Sequence, residues 1–316
     1  MKDILRWNDA AWSVSGLFSH DSILLYLHDT LTNLGIAPFS MVHGCIPCAW
    51  NSGRTLKDHA PLYIDQCIEA FQQREIPIFL TFSNYRIEEH HLLDAKANKL
   101  LDAVLASERN GVIVSSRILK EYIQSKYPRA NLHSSILYLL DQNIQSDADG
   151  YLQTAQQFDR VVVHPDDCLD AIFLSCLHPR DRFEIIVNEN CVSNCPHRKE
   201  HDDLICQCNL EPENDALFEY VSAYTKMNCR MLRDQRLLQS YFNAEIRNCN
   251  LSMLELNQIY AMGFKNFKLQ GRADSPASFL YDLTRYLFSD YAAPLFFKLL
   301  ASQISFSQAK ERLELL

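Results

Sequence analysis

The residues best able to do chemistry lie just after one apolar run, Phe183-Glu184-Ile185-Ile186-Val187. The next stretch reads Asn188-Glu189-Asn190-Cys191-Val192-Ser193-Asn194-Cys195-Pro196-His197-Arg198-Lys199-Glu200-His201, and Cys206 and Cys208 follow shortly. Thiolates are soft donors, so four thiols with two imidazoles between Cys191 and Cys208 point to zinc or an iron–sulfur centre. Three residues separate Cys191 from Cys195 and one separates Cys206 from Cys208, which matches no zinc-finger spacing and leaves the metal open. Cys249 is a further candidate ligand, and His201 offers a nitrogen donor. Glu189, beside the thiols, is a candidate acid/base or ligand orienter. Its neighbour Asn188 is a candidate substrate contact.

A second constellation is Phe264-Lys265-Asn266-Phe267-Lys268-Leu269-Gln270-Gly271-Arg272. Side chains alternate along a strand, so Lys268 and Gln270 share a face. Arg272 stands beyond Gly271, placed to hold a carboxylate or phosphate through a bidentate contact. Lys268, Arg272 and Asn188 together suggest a small anionic substrate. His164 and Asp166 follow the run Arg160-Val161-Val162-Val163, and His164 is a second acid/base candidate. Cys45-Ile46-Pro47-Cys48 also follows a strand-like run. The residues after it read as loop rather than helix, so packing near a rim is expected instead of a redox pair. Cys67, Cys168 and Cys176 fall in or beside helical stretches and read as small hydrophobes, as does Cys229.

Short β-branched runs alternate with amphipathic ones, the pattern of βαβ units around a parallel sheet. Strands are expected at 38–42, 77–82, 111–114, 132–138, 160–163, 183–187, weakly at 244–247, and at 264–269. Gly263 is placed to cap the helix before the last of these. Eight such segments predict a TIM-type (β/α)8 barrel, an α/β fold in one domain over 1–316. An N-terminal helical segment is expected over 1–36 and C-terminal helices over 275–316. No Gly-x-Gly-x-x-Gly follows any strand, and the chain holds only 8 glycines, so the doubly wound alternative lacks its fingerprint. The rim at the C-terminal strand ends, where such barrels keep their active sites, is where the cysteine segment belongs.

A formal charge of −9 and a pI near 5.6 disfavour a nucleic-acid surface. No apolar stretch is long enough to span a membrane, and the charged N-terminus carries no secretory signal. Eleven cysteines without an export signal imply reduced thiols and a cytoplasmic protein. Gly-x-Ser-x-Gly, His-Glu-x-x-His and P-loop patterns are absent, which removes several common hydrolase and NTPase mechanisms.

The segment from Gly263 to Arg272, followed by Tyr281 and Tyr286, resembles the G-(I/V)-x-x-(L/F)-K-(I/L)-x-G-R … Y … Y segment of the collagenase-like peptidase family, type U32. The cysteine segment stands where that family carries cysteines of its own, and Gln270 replaces its usual Glu. The resemblance runs from about Phe158 to Tyr286. It implies a barrel-like catalytic domain found both in peptidases and in proteins holding a four-iron four-sulfur cluster. The latter serve oxygen-independent hydroxylation in ubiquinone biosynthesis or tRNA modification. Carried over, the cluster ligands would be Cys191, Cys195, one of Cys206 or Cys208, and Cys249. The first expectation is therefore an iron–sulfur oxidoreductase acting on a small anionic substrate. A zinc hydrolase is the second, with Cys191, Cys195 and His201 on zinc and Glu189 as base. The third is a non-catalytic partner subunit with a structural metal. Expected partners are a small-molecule or peptide substrate and a related barrel subunit or redox partner.

Overall fold

A computed structural model describes residues 3–52, 63–229, 247–271 and 274–314. Its strands are β1 (Ala11–Ser15), β2 (Met41–Gly44), β3 (Ile78–Phe82), β4 (Gly111–Val114), β5 (Asn131–Ser134), β6 (Arg160–Val163), β7 (Phe183–Ile186), β8 (Asn188–Val192), β9 (Asn248–Asn250) and β10 (Asn266–Leu269). Its α-helices are α1 (Asp21–Thr32), α2 (Ile64–Gln73), α3 (Ala95–Leu105), α4 (Arg117–Lys126), α5 (Ile136–Asp141), α6 (Ala148–Gln157), α7 (Ala171–Cys176), α8 (Arg198–Leu210), α9 (Asp215–Asn228), α10 (Met253–Ala261), α11 (Pro276–Leu287) and α12 (Ala293–Glu314). Eight parallel strands close in the order β1-β10-β7-β6-β5-β4-β3-β2, with helices between them, which is the expected TIM-type barrel.

Two of the expected strands are corrected. The barrel opens with β1, inside the segment expected to be helical before α1. In Ala11-Trp12-Ser13-Val14-Ser15, Trp12 and Val14 join the main hydrophobic core, while Ser15 lines the cavity at the barrel mouth and Ser13 meets the lumen residue Lys268. Inward serines leave no apolar run to read. The weak strand expected at 244–247 lies mostly outside the described residues, and Arg247 belongs to no strand. The barrel closes without it, so the cysteine segment follows the seventh barrel strand rather than the sixth. The run 132–138 also divides. β5 ends at Ser134, and the Ser135 hydroxyl caps α5 by accepting from the Leu137 N–H.

Inward-facing positions change character along the barrel. Met41, Phe79 and Ile113 form a small apolar cluster of their own, separate from the core between strands and helices. A Cβ on Gly111 would stand 2.4 Å from the Phe79 ring and 2.5 Å from the Asn131 carbonyl, so the Phe79 ring fits only against a glycine. Glu184, fully buried, sits 3.6 Å from the Lys268 ammonium and 3.7 Å from the Arg160 guanidinium. His133 stacks near Phe79, and burial, with Arg160 and Lys268 nearby, pushes its pKa well down.

The connection from β7 to β10 is the long one. It holds β8, α8, α9, β9 and α10, and β8 pairs antiparallel with β9 to form a ribbon beyond the barrel strands. Gly263, at φ +101°, ends the turn after α10 and admits β10, as its position predicts.

A buried anion flanked by two cations gives a direct stability test. Glu184→Leu leaves Lys268 without its counter-charge and should cost about 3–5 kcal/mol, read from urea unfolding. Replacing Glu184 and Lys268 together by Leu and Met should recover part of that loss, because the lone cation that remains, Arg160, is partly exposed. A single-variant loss below about 1 kcal/mol would show that the pair does not hold the lumen.

Candidate functional site

A cavity of about 240 Å³ opens at the C-terminal ends of the barrel strands. Its depth is set by Ser15, His43, Thr81, Val162, Ile186 and Lys268, all inward positions near those ends. Its rim comes from the inserted segment, through Asn188, Glu189, Cys191, Arg198 and Asp202. Strand alternation carries Glu184, Ile186 and Asn188 along one inward line, so Asn188 continues the lumen face of β7. The Asn188 amide donates to the Gln270 carbonyl (3.0 Å) and to the Asp282 carboxylate (2.8 Å), and its oxygen accepts from the Gln270 N–H (2.8 Å). Burial pushes the Asp282 carboxyl above its usual range.

Glu189 is fixed from two sides. One oxygen accepts from the Cys191 backbone N–H at 2.9 Å and the other from the Gln270 side-chain amide at 2.8 Å. Three residues chosen on different grounds in the sequence (Asn188, Glu189 and Lys268) therefore line one cavity. Arg272, expected beside them, lies outside the described residues. Lys268 pairs with Glu184 and approaches the Ser13 hydroxyl at 3.5 Å, so its charge is balanced from below the cavity.

Beside the cavity is a compact polar centre. Arg198, the first residue of α8 and only 9% exposed, donates to the Val192 carbonyl (2.9 Å), the Asp166 carboxylate (3.3 Å) and the Cys249 sulfur (3.4 Å). Its other terminal nitrogen lies 3.5 Å from His164 Nε2. His164 Nδ1 accepts from the Asp166 backbone N–H at 3.3 Å and lies 3.6 Å from the Asp166 carboxylate. Burial, reinforced by the Arg198 cation, pushes the His164 pKa down to about 4. Burial works against the Asp166 charge, yet the Asn194 N–H, Arg198 and Cys249 hold its carboxyl below the usual range. His164 is thus a neutral, buried prop and is absent from the cavity lining.

The candidate ligands separate into two groups. Cys191, Cys195 and Cys249 share one neighbourhood. Burial raises Cys191 and Cys249 to about 12 against the pull of Arg198, and Cys195 adds to the rise at Cys191. Cys206 packs with Tyr85 and Leu137, its carbonyl accepts from the Asn84 amide, and burial lifts its thiol to about 12. Cys208 is buried on the same helix. His201 lines the cavity and lies 3.2 Å from the Thr225 hydroxyl. Among the described residues no group of three His, Cys, Asp or Glu side chains converges as a metal would require. A guanidinium stands among the thiols instead, so the donors as placed do not fit the four-cysteine set implied by the resemblance. Cys45 and Cys48 lie on the loop after β2 with their sulfurs 3.9 Å apart.

Arg198 was visible in the cysteine segment without being assigned a role. Its sign in the sequence is a lone Arg opening a helix directly after Cys-Pro-His. Glu184 was equally visible as the one charge in an otherwise apolar strand. Asp282 gave no signal, because its place on α11 follows only from the fold.

No protein-family model matches the chain, and no curated protein does. Among solved structures it is similar to "The Structure of the U32 Peptidase Mk0906", with 12% sequence identity and a TM-score of 0.53. The match covers 84% of this chain and 94% of that one. The fold is that of a U32 peptidase. At this identity the likeness concerns the fold alone. No described helix is long and apolar enough to cross a membrane.

The low pKa of His164 has a consequence for stability. In the unfolded chain this imidazole takes up a proton near pH 6.5, whereas in the fold it does so only near about 4. Its contribution is complete above about pH 6.5 and is lost as pH falls towards about 4, a span of about 3 kcal/mol. His164→Gln should flatten the stability profile across that interval in urea unfolding at stepped pH. An unchanged slope would place the acid sensitivity elsewhere.

Proposed function

We propose that the chain is an enzyme of the collagenase-like peptidase type, working on a small molecule or short peptide in the mouth cavity. The observation that carries this reading is the meeting of Asn188, Glu189 and Gln270 over Lys268 at the strand ends, in a barrel shared with a U32 peptidase. Active sites of such barrels lie at this face. Glu189 is the residue assigned to contact the reacting molecule, since it lines the cavity and is oriented from both sides. His164 acts at one remove, by holding Arg198 and so the course of the segment that carries Glu189.

A second reading keeps the iron–sulfur cluster and the oxidoreductase chemistry it would supply. Its support is the gathering of Cys191 and Cys249 beside Arg198, with Cys195 next to Cys191. Ligation by these thiols requires Arg198 to leave their centre and a fourth donor to arrive. A zinc hydrolase would use Cys191, Cys195 and His201 with its fourth position open to water, whereas a partner subunit with structural zinc needs a fourth donor.

Anaerobic purification with iron, sulfide and zinc analysis, followed by incubation with a short-peptide library read by mass spectrometry, separates these readings. Peptide turnover without stoichiometric metal, lowered about 100-fold in kcat/KM by Glu189→Ala, is the expected result. About four iron and four sulfide per chain would move the assignment to the second reading. Stoichiometric zinc lost in Cys191→Ser would move it to the zinc site.

A further inference from the structure

The charged groups lining the mouth cavity are not equivalent. Arg198 and Lys268 are cations, and each has a buried carboxylate behind the wall, Asp166 at 3.3 Å and Glu184 at 3.6 Å, the latter shared with Arg160. Glu189 is held differently. It accepts hydrogen bonds from two neutral donors, the Gln270 amide and the Cys191 N–H, which orient a carboxylate without cancelling its charge. Asp202 and Asp274 add two more carboxylates to the lining. Six aliphatic side chains, Ile113, Ile136, Leu137, Val162, Ile186 and Ile205, share the remaining wall with serines, Thr81, His43 and His201.

A half-enclosed site of this kind disfavours a net anion, which would meet Glu189 in surroundings less screened than water. It favours a cation that can exchange its hydration for a charge-assisted hydrogen bond. The aliphatic wall next to Glu189 suits a short apolar body on that cation.

We propose that Glu189 recognises a protonated primary amine, so that the cavity takes molecules with a free ammonium group on a short aliphatic body, of which an unblocked peptide N-terminus is the nearest example. Gln270 is the positioning residue: its amide turns the carboxylate towards the cavity and adds no counter-charge. The inference rests on the mouth cavity being the working site, and it replaces the small anion expected from Lys268 and Arg272.

Two probes that differ only at the amine test it. Alanyl-alanine and N-acetyl-alanyl-alanine are titrated calorimetrically into the full chain at neutral pH. The free dipeptide should bind at least about 10-fold more tightly, the factor that about 1.4 kcal/mol confers. Glu189→Gln should remove that preference, and a urea-unfolding midpoint matching that of the parent shows that the variant is folded. Glu189→Asp should restore part of the preference. Equal binding of the two dipeptides overturns the amine assignment and leaves the cavity as the working site. A preference that survives Glu189→Gln overturns the role of Glu189. Binding of neither probe overturns the amine assignment, and failure of the peptide library as well removes the peptidase-type reading with it.

Discussion

The ion pair between Asp166 and Arg198 fixes the part of the molecule that matters for chemistry. Asp166 follows β6, Arg198 opens α8, and their contact at 3.3 Å ties the inserted segment to the barrel rim. The same carboxylate accepts from the Asn194 N–H and from the Cys249 thiol, so both strands of the ribbon are anchored at one point. A buried cation without such an anion would be costly, and a buried anion without its donors equally so. Each group is tolerable only because the other is present. Glu189 and Asn188 lead into the segment held this way, which is how an ion pair at the rim determines what faces into the cavity.

The lumen follows the same rule at greater depth. Glu184 cannot be left alone in an apolar barrel, and Arg160 and Lys268 approach it from opposite neighbouring strands. Balancing Lys268 from below changes the cavity above it. A lysine at the end of β10 reads as an anion anchor when considered alone. With Glu184 beneath it, shared with Arg160, the charge of Lys268 is offset in part, and the oriented carboxylate of Glu189 meets less opposing charge. The electrostatic sense of the site therefore depends on a residue that never reaches it.

Much of the barrel was legible because β-branched runs and amphipathic helices alternate with clear periods, as in Arg160–Val163 and in the Cys67, Ile68 and Phe71 face of α2. The failures have physical causes. β1 alternates Trp and Val with inward serines, so its apolar signal is diluted, and the ribbon strand β9 is only three residues long. Lys268 was legible because inward positions can be counted along a strand, and Asn188 and Glu189 because they directly follow one, beside the thiols. Glu184 was visible as a charge in an apolar strand but its partners were not, and Asp282 arrives from a distant helix.

The cysteine segment shows most clearly why density in sequence is not convergence in space. Residues one helical position on either side of a neighbour point in divergent directions, so Cys206 and Cys208 on α8 do not address one centre together. Cys206 instead fills a contact with Tyr85 and Leu137. Cys191 and Cys249 come from the two strands of the ribbon, and the register that pairs Glu189 with Cys249 places them near each other on pairing grounds alone. What they meet there is Arg198. A guanidinium supplies fixed positive charge and several donors in one plane, so it can satisfy Asp166, Val192 and Cys249 at once. A soft-donor cluster read from sequence thus becomes, in the fold, a hydrogen-bonded centre organised by an arginine that steadies the rim of the cavity.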